Sequence, residues 1–196
     1  MIELEVKAVV VDPAALLTRL ETLEAEPGFR GMMRDRRYDR GTTLRDRDEV
    51  LRTRAYEGGE GSRVHVSWKG PVSVEAGGYK RRPELEYRVS EGPVDEVFVA
   101  LGYGVVEAID RFVAYYRLRG ATVRMEWYPR MDCLLEVEGE PEQIESAIVA
   151  LELPRDRFSA EALPAFVIRY EARTGRRAVV SEAGLRGDPP GWAGVA

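Results

Sequence analysis

Residues 1–7 read Met-Ile-Glu-Leu-Glu-Val-Lys, with apolar and charged side chains in strict alternation from Ile2. Ile2, Leu4 and Val6 occupy one phase, while Glu3, Glu5 and Lys7 occupy the other. Successive side chains of a strand point to opposite faces, so strict alternation predicts a strand over 1–10 with one apolar and one charged face. Asp12-Pro13 follows as a helix start, because Asp caps the free N–H groups and Pro is preset for the first turn. Leu16, Leu17, Leu20 and Leu23 give that helix its apolar stripe, and Glu26-Pro27-Gly28 reads as the turn that closes it.

Outward from this unit the same alternation recurs. Strands are expected over 29–40, 51–56, 63–69, 82–89, 105–116, 117–128 and 133–138. The glycine-rich link 57–62 suits a hairpin reversal. Further reversals are expected at Gly120-Ala121 and Pro129-Arg130, and the polar segment 41–48 reads as loop. Helical spacing covers 94–101 and 141–151. A short helix is expected over 159–166, followed at 167–172 by a last strand or a second helical piece. The domain is placed at 1–183, and 184–196, rich in Gly, Pro and Ala with little to bury, as a mobile tail.

The chain has 196 residues, with 29 basic and 34 acidic side chains and a net charge of -5, which argues against a nucleic-acid coat or an anionic membrane surface as the main partner. Cys133 is the single cysteine, so no internal disulfide forms, and the charged first residues do not resemble a signal peptide. No apolar run approaches ~18 residues, so no bilayer-spanning helix is expected and the cytoplasm is the default address. Cys133 itself reads as a small buried hydrophobe. No phosphate-binding glycine loop followed by Lys and Ser or Thr is present.

The chemistry lies in which charges fill the polar phase. Glu3/Glu5, Glu84/Glu86 and Glu136/Glu138 are Glu-x-Glu pairs, and Arg52/Arg54 and Arg117/Arg119 are Arg-x-Arg pairs. The ordinary reading of any one pair is the wet face of an antiparallel sheet. A wet face also draws on Thr, Ser and Gln, however, and repeated like charges repel unless a counter-ion separates them. A surface with both sets suits a divalent metal, bound by hard carboxylate oxygens, together with a polyphosphate gripped by arginine forks. His65, the only histidine, is in phase with Lys69 and reads as a non-catalytic strand residue; Arg34, Arg36 and Arg37, with Asp35 among them, read as a solvated face.

In this order the motifs resemble the CYTH superfamily, the triphosphate tunnel metalloenzymes that include class IV adenylyl cyclases and thiamine triphosphatases. Glu3-Leu4-Glu5-Val6-Lys7 is similar to the family's ExExK, Leu51-Arg52-Thr53-Arg54 to LRxR, and Ser67-Trp68-Lys69-Gly70-Pro71 to TYKGP. Arg82-Pro83-Glu84-Leu85-Glu86 resembles RxExE, and Leu135-Glu136-Val137-Glu138 the late ExE strand. The resemblance implies an α+β fold: an eight-stranded antiparallel β-barrel, or tunnel, with a charged interior and helices packed outside. It implies that Glu3, Glu5, Glu136 and Glu138 bind Mg2+ or Mn2+, that Lys7, Arg52, Arg54, Lys69 and Arg82 hold the triphosphate, and that Glu5 and Lys7 stand at the chemistry. Glu84 and Glu86 are either ligands or carboxylates behind them.

The departures from the family bear on the substrate. Its Lys-x-Arg pair on the strand near residue 110 aligns with Asp110 and Phe112, with Arg111 expected on the other face. Arg117, Arg119 and Arg124 are the candidate replacements. The family's metal-binding Asp aligns with Glu126, with Asp132 behind it. The expected activity is metal-dependent hydrolysis of a triphosphate-containing small molecule such as tripolyphosphate, thiamine triphosphate or a nucleotide. The alternatives are cyclisation of ATP to cyclic AMP and pyrophosphate, and a polyphosphate-binding module without turnover. Homodimers occur in the family, and no strip of this sequence identifies an interface.

Overall fold

The computed structural model describes residues 2–59, 61–89 and 92–195. Its strands are β1 (Ile2–Val10), β2 (Glu26–Asp39), β3 (Val50–Gly58), β4 (Gly61–Lys69), β5 (Ser73–Glu75), β6 (Tyr79–Val89), β7 (Gly104–Leu118), β8 (Ala121–Trp127) and β9 (Cys133–Glu138). The order β1-β9-β8-β7-β2-β3-β4-β6 is antiparallel throughout and closes through β1–β6 pairing from Ile2↔Pro83 to Glu5↔Lys80. These eight strands form the barrel, and β5 is a short addition beside the start of β6. Closure removes the open edges that a flat sheet would expose.

The helices are α1 (Pro13–Thr22), α2 (Val94–Ala100), α3 (Pro141–Ala150) and α4 (Leu163–Thr174). Asp12 caps α1 by accepting a hydrogen bond from Ala15 N at 3.0 Å, as its position before Pro13 predicts. Leu16 and Leu20 of α1 and Ile144, Ala147 and Ile148 of α3 pack with Val6, Val123, Met125, Leu135 and Val137, the outward phase of β1, β8 and β9. The main core therefore lies outside the barrel wall, and each fully buried aliphatic side chain there contributes about 2 kcal/mol. The charged phase is thereby left to the barrel interior. No helix of the described residues is long and apolar enough to cross a membrane.

Two parts differ from the sequence-based expectation because their partners are distant in the chain. Residues 163–174 form one helix, α4, with neither the break at 166 nor a strand after it. Phe166 of α4 packs with Ile109, Tyr128 and Leu134, and Leu163 and Val9 join the same cluster. Val9, Ile109 and Leu134 continue the inward phase of Lys7, Arg111 and Glu136, so the lining changes from charged to apolar where α4 covers it. The tail also has something to bury. Trp192 is 5% exposed in the main core, and Gly191 N donates to Pro129 O at 2.8 Å.

Smaller differences concern boundaries. β2 begins at Glu26, inside the expected turn, and β7 runs on to Leu118, so Arg117 belongs to β7 and not to β8. The reversal falls at Arg119-Gly120, with φ of 53° and 84°. Both residues of this hairpin turn need positive φ, which glycine accepts freely and arginine does not.

Candidate active site

Arg52 and Arg54 alternate along β3, Glu3, Glu5 and Lys7 along β1, Glu136 and Glu138 along β9, and Arg124 and Glu126 along β8, all in the inward phase. Two cavities lie inside. An outer one of about 410 Å³ is lined by Glu138, Arg117 and Thr122 on one side and Phe29, Tyr56 and Arg63 on the other. An inner one of about 230 Å³ reaches Lys7, Asp35, Arg111, Glu126 and Glu136 and ends against the start of α4. Glu3, Arg54, Lys69 and Arg124 line both and form the neck between them.

Around β1 each carboxylate meets a lysine. Lys7 Nζ donates to Glu5 Oε1 at 2.8 Å and forms an ion pair with Glu136. Lys80 also pairs with Glu5, and Lys69 Nζ donates to Glu3 Oε2 at 2.6 Å and to Glu84 Oε2 at 2.9 Å. Burial opposes charge on Lys7, but Glu136 and Glu5 overcome it and hold its pKa above the ordinary lysine value. Lys7 is therefore a fixed cation. Burial likewise opposes ionisation of Glu5, and Lys7 and Lys80 reverse this, holding its pKa well below the usual value.

Arg124 ties β8 to β9. It donates through Nε to Glu126 Oε1 at 2.8 Å and through Nη1 to Tyr115 Oη at 3.2 Å, and its Nη2 lies 2.5 Å from Glu136 Oε1. Glu126 accepts further from Arg111 Nε at 3.1 Å and Tyr128 Oη at 2.6 Å. Both of its oxygens are thus committed. Burial resists its ionisation, but Arg111 and Arg124 pull its pKa down to about 2. Arg52 donates through Nε to Ser67 Oγ at 3.0 Å and through Nη2 to Glu84 and Glu86 at 3.3 and 3.4 Å. His65 lies beside Glu86, with Nδ1 2.9 Å from Oε1.

Glu138 is different. Its carboxylate forms no hydrogen bond or ion pair among the described residues, and burial together with Glu136, Glu3 and Glu5 pushes its pKa up to about 7. Glu136 Oε2 is buried without a hydrogen bond, although Lys7 faces it as an ion-pair partner. Among the described residues no three carboxylates stand together as a ready-made metal cage. The donor chemistry still fits a hard divalent cation: the unpaired carboxylate of Glu138, a Glu136 oxygen without a hydrogen bond, and Glu3 and Glu5, whose side-chain partners are lysines.

Other expected residues are placed as follows. Arg82 is buried at the inner cavity but spends its donors on Gly70 O at 2.6 Å and Asp48 O at 2.8 Å, fastening two loops. Arg117 reaches the outer cavity and donates to Thr122 Oγ1 at 2.9 Å. Arg119 is exposed in the hairpin turn and lines neither cavity, because β7 ends before it. Asp132 precedes β9 on the α4 side, where it accepts from Arg173 Nη2 at 2.6 and 2.8 Å.

Sequence reasoning missed Asp35, Arg37, Lys80 and Arg111, which all line the inner cavity. Arg111 points inward and Asp110 outward, the reverse of the expected phase on β7. Asp35 and Arg37 likewise leave the expected solvated face, while Arg34 and Arg36 stay outside and pair with Asp110 and Glu182. Lys80 had a usable signal: it is in phase with Arg82, Glu84 and Glu86. Cys133 is buried, and that burial raises its thiol pKa to about 12, as suits an inert side chain.

No family model and no curated protein matches the chain by sequence. Solved structures do match in fold. A candidate adenylate cyclase from Vibrio parahaemolyticus superposes with a TM-score of 0.70 at 17% identity, covering 86% of this chain and 98% of that one. The PH1819 protein of Pyrococcus horikoshii gives 0.67 at 20% identity, covering 89% and 99%. A candidate adenylyl cyclase from Hippeastrum, described as having a dominant triphosphatase activity, gives 0.59 at 15% identity, covering 90% and 97%. The closed eight-stranded antiparallel barrel with helices outside is the fold this chain shares with these proteins.

Proposed function

We propose that this chain is a metal-dependent enzyme acting on a triphosphate, with hydrolysis as its reaction. The observation that carries the reading is the interior itself. Buried ion pairs seldom stabilise a fold better than apolar side chains of similar size, so a closed barrel filled with Arg, Lys and Glu is poorly explained by stability alone. An interior of this kind suits a polyanion that exchanges partners with the charges already there. The fold shared with the Vibrio and Hippeastrum proteins supports the same reading.

Arg117 and the neck residues Arg54, Lys69 and Arg124 would receive the phosphates from the outer cavity. Lys7, held ionised, would donate to a phosphate oxygen and so release Glu5 and Glu136 from their present pairing. Those two carboxylates with Glu3 and Glu138 are the set that would hold Mg2+ or Mn2+, and the ion would neutralise charge that develops on the phosphate oxygens. Water attack on the terminal phosphorus would break its bond to the bridging oxygen; the leaving oxygen would keep the electron pair, and the proton given up by the water would pass to a non-bridging oxygen of the phosphate. The arginines would stabilise that charge. No histidine takes part.

A second reading, cyclisation of ATP, is favoured by the rings at the outer cavity. Phe29, Tyr56 and Tyr115 cluster there with centroid separations of 5.1 and 6.4 Å and could face a nucleobase. Release of orthophosphate from tripolyphosphate, assayed with Mg2+ or Mn2+, tests the main reading. The wild-type protein is expected to turn over, and Glu5→Gln is expected to abolish turnover with its circular dichroism unchanged. Binding without turnover in the wild type would move the assignment to a polyphosphate-binding module.

A further inference from the structure

Asp35, 2% exposed on β2, faces three guanidinium groups. It accepts from Arg54 through both oxygens, at 2.7 Å from Nε and 2.9 Å from Nη2. Arg111 Nη2 donates to it at 3.0 Å, and Arg52 Nη1 lies 3.6 Å away. Burial resists its ionisation, but the three arginines hold the carboxyl well below the usual carboxylate range. The fork that Arg54 presents to Asp35 is the one a guanidinium presents to a phosphate. Asp35 lines the inner cavity and not the outer one, so it lies past the neck of Glu3, Arg54, Lys69 and Arg124.

We propose that Asp35 sets the length of polyphosphate the tunnel accepts, its carboxylate standing as a built-in anion where a further phosphoryl group would otherwise lie between Arg52, Arg54 and Arg111. This rests on the reading of the tunnel as a polyphosphate site. In the inner cavity a fixed negative charge stands, its donors already taken. A longer chain must then put a phosphoryl group beside Asp35 without enough cations for both, whereas a chain whose leading phosphoryl group stops at Lys7 gains from Lys7, Arg54 and Arg124 and leaves Asp35 paired. Like charges brought together in a partly dry cavity repel strongly.

Isothermal titration of the full chain with pyrophosphate, tripolyphosphate and tetrapolyphosphate, without divalent metal, tests this. Wild-type protein is expected to bind tripolyphosphate at least about tenfold more tightly than tetrapolyphosphate, and Asp35→Asn to tighten tetrapolyphosphate by about tenfold, which is about 1.4 kcal/mol. Equal weakening of both ligands in Asp35→Asn would overturn the proposal and make Asp35 only an aligner of arginines. An unchanged ratio would also overturn it. Should Asp35→Asn fail to fold, the wild-type comparison decides: equal or tighter binding of tetrapolyphosphate contradicts the proposal, and a preference for tripolyphosphate supports it. Wild-type protein that binds none of the three overturns the polyphosphate reading itself.

Discussion

Asp110 and Arg111 are consecutive in β7 and serve opposite sides of the barrel wall. Asp110 accepts from Arg36 Nη1 at 2.8 Å, Ser181 Oγ at 2.9 Å and Glu182 N at 3.0 Å, which seats the C-terminal segment on the outside. Arg111 donates inward, to Asp35 at 3.0 Å and Glu126 at 3.1 Å. A cation does therefore face the interior near residue 110, one position after Asp110.

Arg111→Met is expected to destabilise the fold by about 3–5 kcal/mol, because it strips a partner from two buried carboxylates at once. Asp110→Asn keeps an acceptor for Ser181 and Glu182 on the outside of the wall and is expected to cost about 1 kcal/mol. Urea denaturation of both variants measures the difference. A larger loss in Asp110→Asn would mean that the inner network is not closed in the way these contacts indicate.

Glu138 gives the metal-free protein a pH signature. Its folded pKa, pushed up to about 7, exceeds the ordinary value of 4.5, so the folded state holds a proton that the unfolded chain has lost in that window. The stabilising contribution is full below about 4.5 and is lost as pH rises towards about 7. Thermal melts in EDTA are expected to show this falling limb, and Glu138→Gln to flatten it. Magnesium is expected to suppress it in the wild type, since a bound cation favours the carboxylate. An identical limb in Glu138→Gln would assign it to another group.

Trp192→Ala is expected to lower stability by about 3 kcal/mol, since a large buried ring is removed. Triphosphate turnover at a temperature where the variant stays folded should be unchanged, because Trp192 packs in the core outside the barrel wall. A melting temperature equal to wild type would show that the tail is unseated in solution.

Arg119→Gly is expected to leave turnover intact and to raise stability by about 0.5 kcal/mol, because glycine tolerates the positive φ of 53° at that turn. Arg54→Ala, at the neck, is expected to abolish triphosphate binding. Equal loss of activity in the two variants would return Arg119 to the site.

Much of this was legible in the sequence where a strand's charged phase is unmixed. Glu3, Glu5 and Lys7, Arg52 and Arg54, and Glu136 and Glu138 all reach the interior, since a single aliphatic phase leaves only one way to orient the strand. In β7 and β2 both phases carry charge: Asp110 beside Arg111, and Arg34, Asp35, Arg36 and Arg37 in a row. Local alternation cannot tell which faces in, and the choice is made by pairings such as Asp35↔Arg54 across β2 and β3. The closure of one end by α4 was hidden for a similar reason. Val9, Ile109 and Leu134 look like ordinary core positions until Phe166, far along the chain, is placed among them.

The most direct test of a triphosphate-processing tunnel is phosphorus NMR of the products formed from tripolyphosphate and, separately, from ATP, with purified protein and Mg2+ or Mn2+. Orthophosphate and pyrophosphate from tripolyphosphate, with no cyclic product from ATP, is the predicted result. Cyclic AMP with pyrophosphate from ATP would keep the site and change the reaction to cyclisation. Unaltered spectra of both compounds, with Glu5→Gln indistinguishable from wild type, would contradict the account.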